Sequence, residues 1–217
     1  MSSERQSNAV KHFWRWFAAN VARLEGLYST GQFERLAVEI NRELDKVDPQ
    51  LAWEIGGGKK RPYLLTLSAE GNPNLRQIAA LMISEAPELG EWEFYSSRPS
   101  RPAPKIVELP ESGERFDTTH WEFVPIERPE RGRLDLVVID DQLAQSDDES
   151  ALKAVSLYLD QLLGEDTVES WIGRFNVEGR LAAQGKRMFK MAELSDYLLW
   201  VTHRDKNPLR RIADKPQ

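Results

Sequence analysis

The sequence predicts an α+β fold: an amino-terminal helical hairpin, then two similar ββαβ units forming a mixed, antiparallel-rich sheet system, then a carboxyl-terminal helix. Three observations carry this expectation. The chain opens on large apolar residues at helical spacing. A strand–strand–helix–strand pattern runs from Leu51 to Arg98 and again from His120 to Val177. A Trp-Glu-apolar triplet occurs three times, at Trp53-Glu54-Ile55, Trp92-Glu93-Phe94 and Trp121-Glu122-Phe123. In a strand the Trp and the third residue share a face and the Glu points the other way. Each triplet is therefore expected to turn its apolar pair inward and its acid outward.

Ser7 to Tyr28 reads as the first helix. Val10, Phe13, Trp14, Phe17, Val21, Leu24 and Tyr28 share one stripe, whereas Trp16 projects roughly 120° away from it. Ser29-Thr30-Gly31 breaks the helix. Gln32 to Lys46 is the second, with Phe33, Leu36, Ala37, Ile40, Leu44 and Val47 on its apolar side. The short link makes the two antiparallel neighbours, and their charged outer faces are expected in water.

Leu51–Ile55 and Tyr63–Ala69 read as strands of a hairpin closed by Gly56-Gly57-Gly58 and Lys59-Lys60-Arg61-Pro62. Asn72 suits a helix cap and Pro73 the first helical position. That helix stops before Pro87, and Trp92–Ser96 is the third strand. Pro99 to Ser112 holds four Pro and no periodicity, so it reads as a connection. The pattern restarts with Trp121–Ile126, a turn at Pro129–Gly132, and Leu134–Ile139, a strand apolar on both faces and so expected to be central. Ser146 and Glu149 have the spacing of a capping box before a helix Ser150–Leu163 that Gly164 closes. Ser170–Val177 follows as a strand. Gly179 to Lys190 has no clear pattern, and Ala192–Arg204 reads as the last helix. Leu75, Ile78, Ala79 and Met82 match Ala151, Ala154, Val155 and Tyr158 at a constant offset, in keeping with similar halves. The division expected is 1–48 hairpin, 49–112 first unit and linker, 113–178 second unit, and 179–217 terminal helix and tail, together one globular domain.

Composition narrows the chemistry. At 217 residues and 41% hydrophobic, the chain buries a core without covalent staples. Having no Cys, it cannot use disulfides, thiolate catalysis or Cys-ligated metals. A net charge of -6 argues against nucleic acid as the partner. No apolar run approaches the about 20 residues of a membrane span. Met1–Ala9 lacks the apolar stretch of a signal peptide. The expected setting is the cytoplasm, with no membrane partner and the oligomeric state open. His12, His120 and His203 are scattered, and no acid group has a ligand spacing that beats turn and cap explanations, so neither a metal nor a cofactor is expected.

Asp140-Asp141, at the end of the expected central strand, is the most enzyme-like feature. His120, oriented by Glu70 or Glu122, is a general-base candidate. Gly56-Gly57-Gly58-Lys59-Lys60 lacks the P-loop pattern and reads as a turn. Basic residues gather at Lys59-Lys60-Arg61, at Arg98, Arg101 and Lys105, and from Arg204 to Lys215.

Phe13-Trp14-Arg15-Trp16-Phe17, Glu54-Ile55, Leu67-Ser68-Ala69-Glu70-Gly71, Ala86-Pro87, Trp92-Glu93-Phe94 and Arg98-Pro99 together resemble a family of uncharacterised bacterial proteins. In that family an aromatic amino-terminal helix precedes an S-A-E-G … A-P … W-x-F … R-P segment. The resemblance covers mainly the first half and implies a bacterial origin and this fold; it transfers no activity. Its polar members Ser68, Glu70 and Arg98 fall at strand ends and are the candidate ligand- or partner-binding residues, with Trp16 as a further contact. The helix between Tyr63–Ala69 and Trp92–Ser96 allows a parallel crossover that would bring Ser68, Glu70 and Arg98 to one accessible edge. The function expected is non-catalytic binding of a protein partner or small ligand, in a regulatory or toxin-neutralising role. The alternative is a hydrolase-like enzyme using Asp140, Asp141, His120 or Glu70.

Overall fold

The computed structural model describes residues 3–128 and 132–206. The fold is mixed α+β, and the chain divides into two compact units, Met1–Arg98 and Pro99–Gln217. The Pro-rich segment after Arg98 therefore belongs with the second unit.

In the first unit, α1 (Ser3–Ser29) and α2 (Phe33–Leu44) form the hairpin. Gly31 turns the chain between them at φ +71°, a conformation that glycine adopts without steric cost. α1 buries Val10, Phe13, Trp14, Phe17 and Leu24, as its spacing predicts. Trp14 adds a specific tie: its indole N–H donates to Met82 O at 2.7 Å. Phe33 departs from the expected stripe and is exposed, touching only the Tyr28 ring edge among aromatic neighbours. The outer face of α2 is also not simply solvated. Glu39 and Glu43 are buried. Arg23 Nη1 lies 2.5 Å from Glu39, and Lys46, Arg42 and His12 lie 2.5, 3.0 and 3.2 Å from Glu43. Burial raises the Glu43 pKa, but Lys46, Arg42 and His12 outweigh it and hold the carboxyl below its usual range. Long basic side chains folded over two acids thus close the hairpin's polar seam.

β1 (Ala52–Gly56) pairs antiparallel with β2 (Tyr63–Ser68). α3 (Pro73–Ser84) crosses over to β3 (Trp92–Tyr95), which runs parallel to β2. The sheet order is β1-β2-β3. Asn72 caps α3 by accepting the Asn74 N–H at 3.0 Å. Alternation divides the sheet. Trp53, Ile55, Leu65, Leu67 and Phe94 join the core shared with the three helices. Glu54, Thr66 and Tyr95 are register partners on the opposite face.

The second unit begins with a small hairpin, β4 (Ile106–Glu108) and β5 (Arg115–Asp117). Three-residue strands are too short to show a period, which is why this segment read as a connection. β6 (Glu122–Arg128) and β7 (Arg133–Ile139) are antiparallel. The turn expected at 129–132 lies, except for Gly132, outside the described residues. α4 (Asp148–Leu163) follows. Its cap is Asp147, which accepts the Ser150 N–H at 2.9 Å, and not the expected Ser146. Ser146 instead donates to Gln142 O at 3.1 Å, closing the preceding 3₁₀ turn Leu143–Gln145.

Gly164, at φ +83°, ends α4 but starts a short helix, α5 (Glu165–Trp171), where a loop and strand were expected. Its carbonyl accepts from Val168 N at 3.0 Å, so the strand β8 (Ile172–Glu178) begins at Ile172 and not Ser170. β8 runs parallel to β7, and β9 (Phe189–Lys190) adds to the far edge of β6. The order is β8-β7-β6-β9, so β7 is central, as its two-sided apolarity implies. Leu134, Leu136 and Val138 face the main core. Val137 and Ile139 pack under Ala183, which lies in the segment that showed no pattern in sequence. α6 (Leu194–Lys206) completes the unit.

The two sheets share one topology. In each, the first two strands are antiparallel, a helix crosses over, and the third strand runs parallel to the second.

Candidate functional site

The Glu of each Trp-Glu-apolar triplet leaves the core, and each is held by a specific partner. Glu54 Oε2 lies 3.2 Å from Arg98 Nε. Glu122 Oε2 lies 2.5 Å from Arg180 Nη1. Glu93 accepts the backbone N–H groups of Lys60 and Arg61, the latter at 2.6 Å, and the Tyr95 hydroxyl at 2.7 Å. The triplets were legible in sequence. Apart from Tyr95, on the same strand as Glu93, their partners were not, because each comes from a segment more than 30 residues away.

The glycine-rich loop is thus a nest of backbone donors closed on the chain's own carboxylate. Gly58 is required for this approach: a Cβ there would stand 2.9 Å from Glu93 Oε1 and against the Arg61 carbonyl. Burial raises the Glu93 pKa, yet the hydrogen bonds from Tyr95, Lys60, Arg61 and Lys59 outweigh it and hold the carboxyl at about 2. The reciprocal effect, donation to a carboxylate, raises the Tyr95 phenol. Arg61 fastens the loop further by donating to Leu89 O at 2.8 Å and Trp92 O at 2.9 Å.

Arg98 sits where β3 has ended, beside the turn that follows β2. Besides Glu54 it reaches Glu70, Nη2 to Oε1, at 3.5 Å. Glu70 and Arg98 therefore do meet at the ends of parallel neighbours. Ser68 stands beside them but is only 1% exposed, so the accessible edge is made by Glu70, Glu54 and Arg98. The Ser68 hydroxyl accepts the Glu70 N–H at 3.2 Å and shapes the turn. Glu70 itself has φ +45°; among the described residues it alone combines a side chain with positive φ. Its side chain is 64% exposed, that of Glu54 41%, and that of Arg98 between them 33%. On the same face, between Glu54 and Tyr95, the buried Thr66 hydroxyl has no hydrogen-bond partner among the described residues.

Trp16 does not join this edge. It is half-buried on α1, with its ring 5.9 Å from Phe13 and 6.3 Å from Phe17. The neighbouring aromatic core covers part of it, so the angle that sets it off the stripe leaves it at the rim.

In the second unit Asp140 is buried and its Oδ1 accepts the N–H of Gln142 and of Leu143 at 2.9 and 3.0 Å. Asp141 Oδ1 accepts the Arg180 N–H at 2.8 Å. The Arg180 guanidinium also donates to the His120 carbonyl at 2.9 Å. Asp140 thereby serves the turn after β7, whereas Asp141, Glu122 and Arg180 gather at the strand ends. Of the remaining candidates, Arg101 and Lys105 lie in the second unit and Arg98 in the first. The side chains of His203 and of the stretch Arg204 to Lys215 are outside the described residues. Among the described residues no three potential metal-ligating side chains stand together. No helix among them is long and apolar enough to cross a membrane. Comparison of the chain with protein-family models, with curated proteins and with solved structures finds no match.

Proposed function

We propose that this protein is a non-catalytic binding protein that captures a basic segment of a protein partner at the Glu54–Glu70–Arg98 edge of its first sheet. The observation that carries the reading is Glu70. A residue with a side chain in the left-handed region costs about 1–2 kcal/mol, and glycine would relieve that cost. Strained positions gather where a site needs a side chain held in one place. Here the strain presents an exposed carboxylate, and Arg98 orients it together with Glu54. Two carboxylates against one guanidinium leave the cluster at a formal -1, in a chain whose net charge is -6. Such an edge attracts cations and repels anions, and the whole field of the chain steers the same way. A cytoplasmic setting and the bacterial family resemblance belong to the same proposal.

Titration calorimetry with a tetralysine peptide at low salt tests it. Binding should weaken about tenfold in Glu70→Gln and in Glu54→Gln, with the melting temperature nearly unchanged. Equal affinity in both variants would overturn the assignment.

A further inference from the structure

We infer that the basic segment binds as an added strand on the free edge of β1, so that the partner is an extended stretch of alternating basic and apolar residues; the inference rests on the reading just proposed for the Glu54–Glu70–Arg98 edge and names how its partner is held. The observation that carries it is the backbone of β1. The sheet order β1-β2-β3 leaves β1 at one margin. In an edge strand, alternate residues turn their N–H and C=O groups away from the sheet. Among the described residues, the backbone of Ala52–Gly56 makes no hydrogen bond outside its ladder with β2. The other margins offer less. Arg61 donates to the Trp92 carbonyl of β3 at 2.9 Å, and Asp135 accepts the Arg174 N–H of β8 at 2.8 Å. β9 is only two residues long. Natural edge strands are protected by lysine, proline or a bulge. β1, Ala-Trp-Glu-Ile-Gly, has none of these, and its register with β2 runs unbroken from Ala52 to Gly56.

The side chains of β1 define what the added strand carries. Residues directly opposite in a ladder share a face. Ala52, Glu54 and Gly56 lie on the face away from the helices. Trp53 and Ile55 lie on the other, half-buried against the core. A lysine opposite Glu54 meets a partly exposed carboxylate. A second lysine, opposite Ala52, stands at the Glu70 end of the strand, because Ala52 pairs with Ser68. Apolar residues opposite Trp53 and Ile55 extend the core face. Trp53 is fixed for that contact by its indole N–H, which donates to Asn41 Oδ1 at 2.6 Å. The edge does not suit a second copy of this chain. Two β1 strands paired antiparallel about their centres would set Glu54 against Glu54, and like charges opposed across a ladder repel.

Altered peptides test the mode while the protein stays intact. The probe is the end-blocked peptide Lys-Val-Lys-Val-Lys, titrated by calorimetry into the full chain at low salt. It should bind at least about tenfold more tightly than Lys-Lys-Lys-Val-Val, which has the same composition and charge. N-methylation removes backbone donors from one side of an extended peptide at a time, either at the lysine amides or at the valine amides. One of these two sets faces β1, and its methylation should weaken binding at least about tenfold, while methylation of the other leaves affinity nearly unchanged. Equal affinity for all four peptides would overturn the added strand and leave capture by charge intact. The same result follows if the chain binds tetralysine but not Lys-Val-Lys-Val-Lys. Binding that depends on one methylated set yet is unchanged in Glu54→Gln and Glu70→Gln would keep the strand and overturn the role given to the two acids. A chain that sediments as a dimer and takes up neither peptide would overturn both.

Discussion

Arg98 Nε lies 3.2 Å from Glu54 Oε2, joining the segment after β3 to the edge strand β1 on the far side of β2. Both groups are partly exposed, so water screens the pair, and such pairs contribute about 0–1 kcal/mol. A double-mutant cycle of Glu54→Gln and Arg98→Ala, followed by urea denaturation, should give a coupling energy below about 1 kcal/mol. A coupling of about 3 kcal/mol or more, the range of a buried pair, would assign the cluster to the scaffold.

Glu70→Gly separates scaffold from site in a single variant. Removing the side chain relieves the left-handed strain at φ +45° but adds chain entropy to the unfolded state. The net effect expected is a gain of up to about 1 kcal/mol, read as a raised melting temperature. Affinity for tetralysine should fall at the same time. A loss of stability would show that the carboxylate holds the turn.

Glu93 makes stability depend on acid pH. Its folded-state value of about 2 lies below the ordinary 4.5. A depressed carboxyl contributes stability that is fully present above the unfolded value and is lost as pH falls toward the folded one. Wild-type protein should therefore lose stability between pH 4.5 and about 2 more steeply than Glu93→Gln. Urea midpoints across that window supply the check, and parallel curves would contradict the role given to the nest.

Two glycines should resist substitution because of what their missing Cβ would strike. At Gly58 it would meet the Arg61 carbonyl and Glu93, and at Gly173 the Asp135 carboxylate. Asp135 sits where the β7–β8 register shifts and accepts the Arg174 N–H at 2.8 Å. Alanine at either position should destabilise by about 1–3 kcal/mol, measured by thermal or urea unfolding. Gly90, with open space around it, is the control that should change little.

Trp14 and Trp16, two residues apart, should behave differently. Trp14→Ala empties a buried site and removes the donor to Met82 O, at a cost of about 3–5 kcal/mol. Trp16→Ala at the rim should cost well under that. Equal losses would mean that Trp16 anchors the core as firmly as its neighbour.

What local pattern governs was readable from the residues. Helical spacing placed Trp14 inside and Trp16 off the stripe, since side-chain direction follows from a fixed rotation per residue. Asn72-Pro73 marked the start of α3 because both residues act on the adjacent backbone. The two-sided apolar run of β7 announced a central strand. The meeting of Glu70 with Arg98 was also within reach, since a single crossover helix between two strands restricts them to a few arrangements. Short or locally ambiguous signals failed: Ser146 and Asp147 are both good caps, and the backbone chose the second.

Other features required the chain to be folded. The sequence by itself determined which residues leave the core, Glu54, Glu93 and Glu122 among them, because strand alternation is a local property. It could not determine what receives them. Arg98 and Arg180 come from beyond the third strand of each unit, and the Lys60 and Arg61 amides come from a loop 33 and 32 residues from Glu93. Burial of Glu39 and Glu43 likewise depends on Arg23 and His12 from another helix. Long-range pairing depends on sheet register and helix packing, so only the tertiary structure turned three outward acids into two arginine clusters and one closed nest.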